Sequence, residues 1–316
     1  MDFIVMLYQR MFHLYLLKQN LYKKYSLFRI ISINLANVNN AKQIISVLGC
    51  GWFGLPLARK LVESGFEVKG SVTQKSKLDL LSNYGIDAHQ INLNDNTFSG
   101  SSFFKCDVLI ICIPGSVKSA DDNDYYYAVQ KSLIYACKAK VKHVILISSI
   151  GVYTDVNTIV DERSLIKAND HKSKILLNTE ELLNHQKDFT ATIVRFGGLI
   201  GAQRNLAKYF AGKRQVPQGL APINLIALQD CIGITLQIIE QKAFGYTYNA
   251  VCPHHPTRAD FYTALAKNTG YEIPEFVCKK GTWKQVDSFN VPHILNYKFI
   301  VNNWFNWIAE QSINSL

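Results

Sequence analysis

Between Phe3 and Val62 the sequence has no acidic side chain, and after Met11 it has no methionine. It also lacks any Cys-x-x-Cys pair, and no apolar run reaches the roughly 18 residues that a membrane-spanning helix needs. A spanning segment is therefore not expected. The charged start and small-residue cleavage site of a secretory signal are missing too. Seven cysteines (Cys50, Cys106, Cys112, Cys137, Cys231, Cys252 and Cys278) are odd in number and irregular in spacing. That pattern excludes a disulfide framework and suits reduced thiols in a cytoplasmic protein. The pair His254-His255 has only Cys252 near it, so no metal site is expected. No repeat and no low-complexity linker occurs.

What is present describes a globular chain. Hydrophobic residues make up 48% and charged residues 18% of the 316, enough apolar material for a real core. The formal charge is +10, and residues 1–40 carry +4 of it through Arg10, Lys18, Lys23, Lys24 and Arg29 against Asp2. The remainder is mildly basic, which suits an anionic small molecule and does not call for nucleic acid. Residues 1–40 are apolar and basic without a clean helical face. They read as an N-terminal extension outside the folded protein, which then begins near Ala41; the alternative is an amphipathic helix lying on a membrane or a partner.

The stretch from Ile44 to Thr73 reads as strand, glycine turn, helix, strand. Within it Gly49-Cys50-Gly51-Trp52-Phe53-Gly54 has the spacing of the dinucleotide fingerprint, after an apolar run and before a helical pattern. The first glycine allows the tight turn, the second lets backbone approach a pyrophosphate, and the third lets helix lie close to strand. The helix start offers free N–H groups and a positive dipole end to the phosphates.

Strands and helices then alternate to residue 196. Val108 to Ile113 is a continuous apolar run, as expected for a central parallel strand buried on both faces. Val144 to Ser149 and Thr190 to Arg195 read as further strands, with helices over Asp122–Lys140 and 172–186. The expected fold is α/β, a doubly wound parallel (Rossmann) sheet. After Arg195 the rhythm changes. A helix near Asn205–Ala211, helices over Asp230–Gln241 and Arg258–Asn268, and a strand over Tyr246–Val251 lead into an aromatic-rich tail. The expected division is 1–40 as extension, 41–200 as the nucleotide-binding domain and 201–316 as a smaller substrate lobe.

The end of the second strand bears on the cofactor. A carboxylate about 20 residues past the first glycine takes the ribose 2′-hydroxyl of NAD. Here Lys69 to Lys77 contains none, and the next is Asp79. Ser71, Thr73 and Lys75, with Lys77 beyond, would attract a 2′-phosphate instead. NADP is expected ahead of NAD.

Ser148-Ser149-Ile150-Gly151-Val152-Tyr153 follows the strand at Val144, with Asp161-Glu162 beyond it. Val194 to Gly201, Asn224 to Asp230 and Tyr248 to Val251 add further motif segments. With these and the glycine fingerprint, residues 43–310 resemble the short-chain dehydrogenase/reductase superfamily, in its extended, atypical epimerase/dehydratase-like branch. The resemblance implies that Ser149 hydrogen-bonds the substrate oxygen. It places Ser148, Ile113 and Pro114 near the nicotinamide ribose, and Phe196 to Gly198 near the ring.

The superfamily's Tyr-x-x-x-Lys pair, a general acid/base and the lysine that tunes it, is not intact. In the best register Asp170 stands for the tyrosine and Lys174 for the lysine, and no tyrosine occurs between Tyr153 and Tyr209. Three possibilities stay open: Tyr153 or another tyrosine supplies the proton, Asp170 or His171 does, or the usual hydride chemistry is lost. The expected function is an NADP-binding oxidoreductase or epimerase with a small-molecule substrate; the alternative is a non-catalytic NADP-binding sensor or scaffold. An oligomer is compatible with the sequence.

Overall fold

A computed structural model describes residues 42–93, 102–115, 123–201 and 204–313. Residues 1–41, on which the expectation of an N-terminal extension falls, lie outside the described residues. The described residues from Ile44 onward form one compact unit.

In chain order the strands and helices are β1 (Ile44–Leu48), α1 (Gly54–Glu63), β2 (Glu67–Val72), α2 (Leu78–Ser82), β3 (Asp87–Gln90), β4 (Val108–Ile111), α3 (Asp124–Lys138) and β5 (His143–Ser149). They continue as β6 (Thr158–Val160), α4 (His171–Asn184), β7 (Thr190–Phe196), β8 (Gly198–Ile200), β9 (Leu225–Ala227) and α5 (Leu228–Glu240). The chain ends with β10 (Thr247–Ala250), α6 (Arg258–Thr269), β11 (Lys284–Val286), α7 (Asn290–Leu295) and α8 (Trp304–Ile313).

Seven strands form a parallel sheet in the order β10-β7-β5-β4-β1-β2-β3. All four residues of β4 are buried, as its unbroken apolar run requires of a strand covered on both faces. The chain winds outward from β1 through β2 to β3, then returns to β4 and winds the other way. The reversal therefore falls between β1 and β4, and the crevice at such a point is where α/β sheets bind ligands.

Each face of the sheet has its own core. Leu57 and Leu61 of α1, Leu81 of α2, and Ile234 and Ile238 of α5 pack on one side. Val129 and Leu133 of α3, and Ile175, Leu176 and Leu183 of α4, pack on the other. A third cluster joins Phe261 and Leu265 of α6 to Trp304 and Ile308 of α8.

The first helix begins at Gly54, and Trp52 and Phe53 lie in the turn before it. The expected helix at Asn205–Ala211 is a single 3₁₀ turn, Leu206–Tyr209, whose first N–H groups include one held by the Asn205 side chain. Two pairs of three-residue strands, β6 with β11 and β8 with β9, have no counterpart in the sequence pattern. Three residues are too few to display a period of two.

Two carboxylates of the later motifs, half-buried Glu162 and buried Asp230, stitch these short pieces together. Glu162 accepts the backbone N–H groups of Asn249 (2.7 Å), Phe289 (2.8 Å) and Asn290 (3.2 Å). Asp230 accepts from Ile300 and Val301 and from the Tyr297 hydroxyl. Burial outweighs these bonds and raises both carboxyls above the usual carboxylate range.

Candidate functional site

A cleft of ≈540 Å³ opens at the carboxyl ends of β1, β4 and β5, a size within the range of about 300–1,000 Å³ common for small-molecule sites. Its floor is the glycine turn. Gly49 has φ +99°, and a Cβ there would press on the Cys112 carbonyl at 3.2 Å. A Cβ on Gly54 would collide with the Gly49 carbonyl oxygen, so only glycine lets α1 start this close to β1. Gly51 differs: a Cβ there would meet nothing within 4 Å, although Gly51 lines the cleft. No protein atom demands glycine at that position. The cleared space fits a group brought from outside, and the start of α1 faces the same cleft through Gly54, with Phe53 just before it.

The sequence candidates divide by position. Trp52, Phe53, Ile113, Pro114, Ser148, Ser149 and Phe196 line the cleft with the three glycines. Phe53 meets Phe196 edge to face, with centroids 4.9 Å apart. Cys50 does not line it. Its thiol packs toward Gly70, and burial pushes its pKa up to about 12. Gly197 lines the cleft, while Gly198 is turned away and packs on Leu225.

Ser71, Thr73 and Lys75 stand beyond the cleft, at and after the end of β2. Ser71 is buried, and its Oγ accepts the Gly49 N–H at 2.9 Å. Thr73 and Lys75 are exposed.

The four candidates for catalysis are likewise spread. Ser149 sits at the end of β5, where its Oγ accepts the Gly151 N–H at 3.0 Å. Tyr153 is 3% exposed and lies in a buried network. Its hydroxyl accepts from Arg195 Nη1 at 2.7 Å and donates to the Asp161 carbonyl at 3.0 Å. Burial raises the Tyr153 pKa against the pull of Arg195. Asp170 caps α4: its carboxylate takes the Ser173 N–H at 3.0 Å, and that bond holds its pKa below the ordinary value. Lys174 is exposed and does not line the cleft.

The lysine that does line the cleft is Lys172, and four residues on, Leu176 lines it too. Helix geometry explains the pair. Residues four apart share a face, whereas Lys174 is rotated by about 200° from Lys172. Lys172 Cε and Ser149 Oγ both lie within 4 Å of where a Gly151 Cβ would stand, so the two groups share one end of the cleft. Tyr125 and Arg204 also line the cleft. Burial, and after it the Glu180 charge, push the Tyr125 hydroxyl well above its usual pKa. The Arg204 guanidinium lies over the Trp52 ring, 4.3 Å from its centroid.

The sequence offered one unused signal for Lys172. The apolar positions Ile175, Leu176 and Leu183 define the inward side of α4, and Lys172 precedes Leu176 by one turn. Tyr125 and Arg204 carry no such signal, because their place depends on loops closing over long separations.

Below the cleft wall, Arg195 and Glu180 form a buried ion pair at 2.6 Å. Burial alone would lower the Arg195 pKa, but the bonds to Glu180 outweigh it and raise it. Among the described residues no three His, Cys, Asp or Glu side chains gather where a metal ion could be held. His254 and His255 serve the fold: His254 Nδ1 accepts the Trp304 N–H, and His255 Nδ1 bonds the Ile223 carbonyl. Among the described residues no helix is long and apolar enough to cross a membrane.

Comparison with known proteins agrees with this geometry. Residues 49–222 match the family described as NAD(P)H-binding. Protein YeeZ of Escherichia coli K12 is 28% identical over 261 residues, spanning 81% of this chain and 95% of that protein. The structure of a UDP-glucose 4-epimerase from Thermotoga maritima, with UDP-glucose, superposes with a TM-score of 0.70 at 15% identity, covering 86% of this chain and 100% of that one. The human epimerase family protein SDR39U1, with NADPH, gives 0.66 at 16% identity, covering 86% and 99%. The chain belongs to the NAD(P)H-binding family, and its fold is that of the epimerase/dehydratase-like short-chain dehydrogenases/reductases.

Proposed function

We propose that the protein is an NADP-dependent oxidoreductase or epimerase acting on the carbonyl or carbinol of a small molecule. The observation that carries this is the single cleft that runs from the clearance at Gly51 to the Ser149 hydroxyl. Gly49, Gly51 and Gly54 with the start of α1 would hold the pyrophosphate. Ile113, Pro114, Ser148 and Phe196 would flank the nicotinamide nucleoside. The preference for NADP rests on exposed Thr73 and Lys75 past β2, with no carboxylate from Val68 to Leu78. The free cysteines fit a cytoplasmic setting.

When bound, the cofactor supplies a carbon that gives or takes a hydride. The chain supplies the rest. Ser149 donates a hydrogen bond to the substrate oxygen. Lys172 holds a positive charge and a transferable proton beside it, where an alkoxide would form. Leu176 gives that end of the cleft an apolar side chain beside the Ser149 hydroxyl.

The test is to follow NADPH absorbance against a panel of aldehydes, ketones and keto-sugars, with wild type and Ser149→Ala. Turnover that falls about 10²-fold or more in the variant supports the proposal. NADPH binding without turnover on any substrate rejects the enzyme. It favours instead an NADP-binding sensor or scaffold. That second reading is motivated by Tyr153 being buried against Arg195 and by Lys174 lying off the cleft.

A further inference from the structure

Ser148 and Ser149 are neighbours on the cleft wall, yet their hydroxyls are bonded in opposite senses. A hydroxyl carries one proton and two acceptor sites. Ser148 Oγ lies 2.6 Å from Glu180 Oε1. Glu180 is 1% exposed, and its two oxygens also take the Arg195 guanidinium at 3.1, 3.1 and 2.6 Å. A guanidinium stays charged and only donates. A neutral Glu180 would leave that charge buried and uncompensated, so the carboxylate is the acceptor and Ser148 gives it its proton. Ser149 Oγ instead accepts the Gly151 N–H, and among the described residues no acceptor bonds its proton.

We infer that Ser148 is a fixed hydrogen-bond acceptor that selects a donor group on the nicotinamide nucleoside, while Ser149 is left as the donor for the substrate oxygen. Glu180 and Arg195 are positioning residues in this arrangement. Arg195 is itself held by Tyr153, and Tyr153 by Asn249, whose amide reaches the Asp287 carbonyl at 3.1 Å. The polarity of Ser148 is thus set from inside the protein and does not adapt to the ligand. The donor it meets is a ribose hydroxyl or the carboxamide NH₂. An acceptor-only group at that point would face two oxygen lone pairs with no proton between them.

The inference rests on the proposed binding of NADPH, and dissociation constants alone test it. Wild type and Ser148→Ala are titrated with three ligands: NADPH, its 3-acetylpyridine analogue, which lacks the carboxamide donor, and an analogue lacking a hydroxyl on the nicotinamide ribose. Ser148→Ala is expected to weaken NADPH by about tenfold and to leave unchanged the analogue that lacks the donor Ser148 meets. Which analogue is indifferent tells carboxamide from ribose. Equal weakening of all three ligands, or no weakening of any, overturns the inference while leaving the proposed function standing. Wild type that takes neither NADPH nor NADH overturns both. Ser148→Cys, whose thiol is a poor acceptor of similar size, gives the same pattern should the alanine variant not fold.

Discussion

The Oγ of Ser71 accepts the backbone N–H of Gly49 at 2.9 Å, and the Ser71 carbonyl accepts the next N–H, that of Cys50, at 2.7 Å. The end of β2 therefore holds the glycine turn in shape. This separates Ser71 from Thr73 and Lys75, which share its stretch of sequence. Ser71→Ala is expected to cost about 1–3 kcal/mol of stability, since it leaves a half-buried N–H without its partner. It should weaken NADPH and NADH by the same factor. Lys75→Glu should weaken NADPH alone, and most at low salt. Fluorescence titrations of both nucleotides, with thermal melts alongside, distinguish the two effects.

Lys172 and Lys174 give a second contrast. Lys172 shares the cleft end with Ser149, whereas Lys174 is turned outward. Lys172→Ala is expected to lower turnover by about 10²–10⁴-fold, as for loss of a general acid. Lys174→Ala should leave it within about twofold. Equal losses from both variants in a steady-state assay would remove Lys172 from the mechanism.

Much of this was legible in the sequence, and the parts that were not share a physical cause. Val108 to Ile111 is apolar at every position, and it is the buried strand next to the cleft. The glycine turn is equally plain, because its spacing is set by local geometry. The phase of α4 is different. Aligning Asp170 and Lys174 with a family pair counts residues, but it does not say which way the helix is rotated. The rotation is fixed by the Asp170–Ser173 capping box and by the buried face of Ile175, Leu176 and Thr179. Tyr153 shows a related limit: its fate depends on Arg195, 42 residues away in the chain.

Tyr153→Phe follows from that network. It removes the hydroxyl that Arg195 and Asn249 share and leaves buried polar groups short of a partner, at a cost of about 1–3 kcal/mol. NADPH affinity should change by less than about twofold, since Tyr153 does not line the cleft. Denaturant melts and titrations on the same preparation check both statements. A large loss of turnover at unchanged stability would return Tyr153 to the candidates for proton donor.

Asp170→Ala tests the cap and carries a pH signature. The loss at neutral pH should be about 1 kcal/mol. Because the Ser173 N–H holds the Asp170 pKa below its unfolded value, the stabilisation is complete above that unfolded value. It fades as pH falls through the lowered folded value. The gap in melting temperature between wild type and Asp170→Ala should thus be full at pH 7 and narrow below about pH 4. A gap independent of pH would show that the carboxylate charge plays no part in the cap.

Gly51 offers the most direct measurement. Its missing side chain leaves space that no protein atom fills, so Gly51→Ala should fold as wild type does. The account predicts that wild type binds NADPH more tightly than NADH in a calorimetric titration, and that Gly51→Ala weakens both by about tenfold or more at an unchanged melting temperature. Equal affinity for the two nucleotides would contradict the preference for NADP. Undiminished binding by Gly51→Ala would contradict the placement of the cofactor in this cleft.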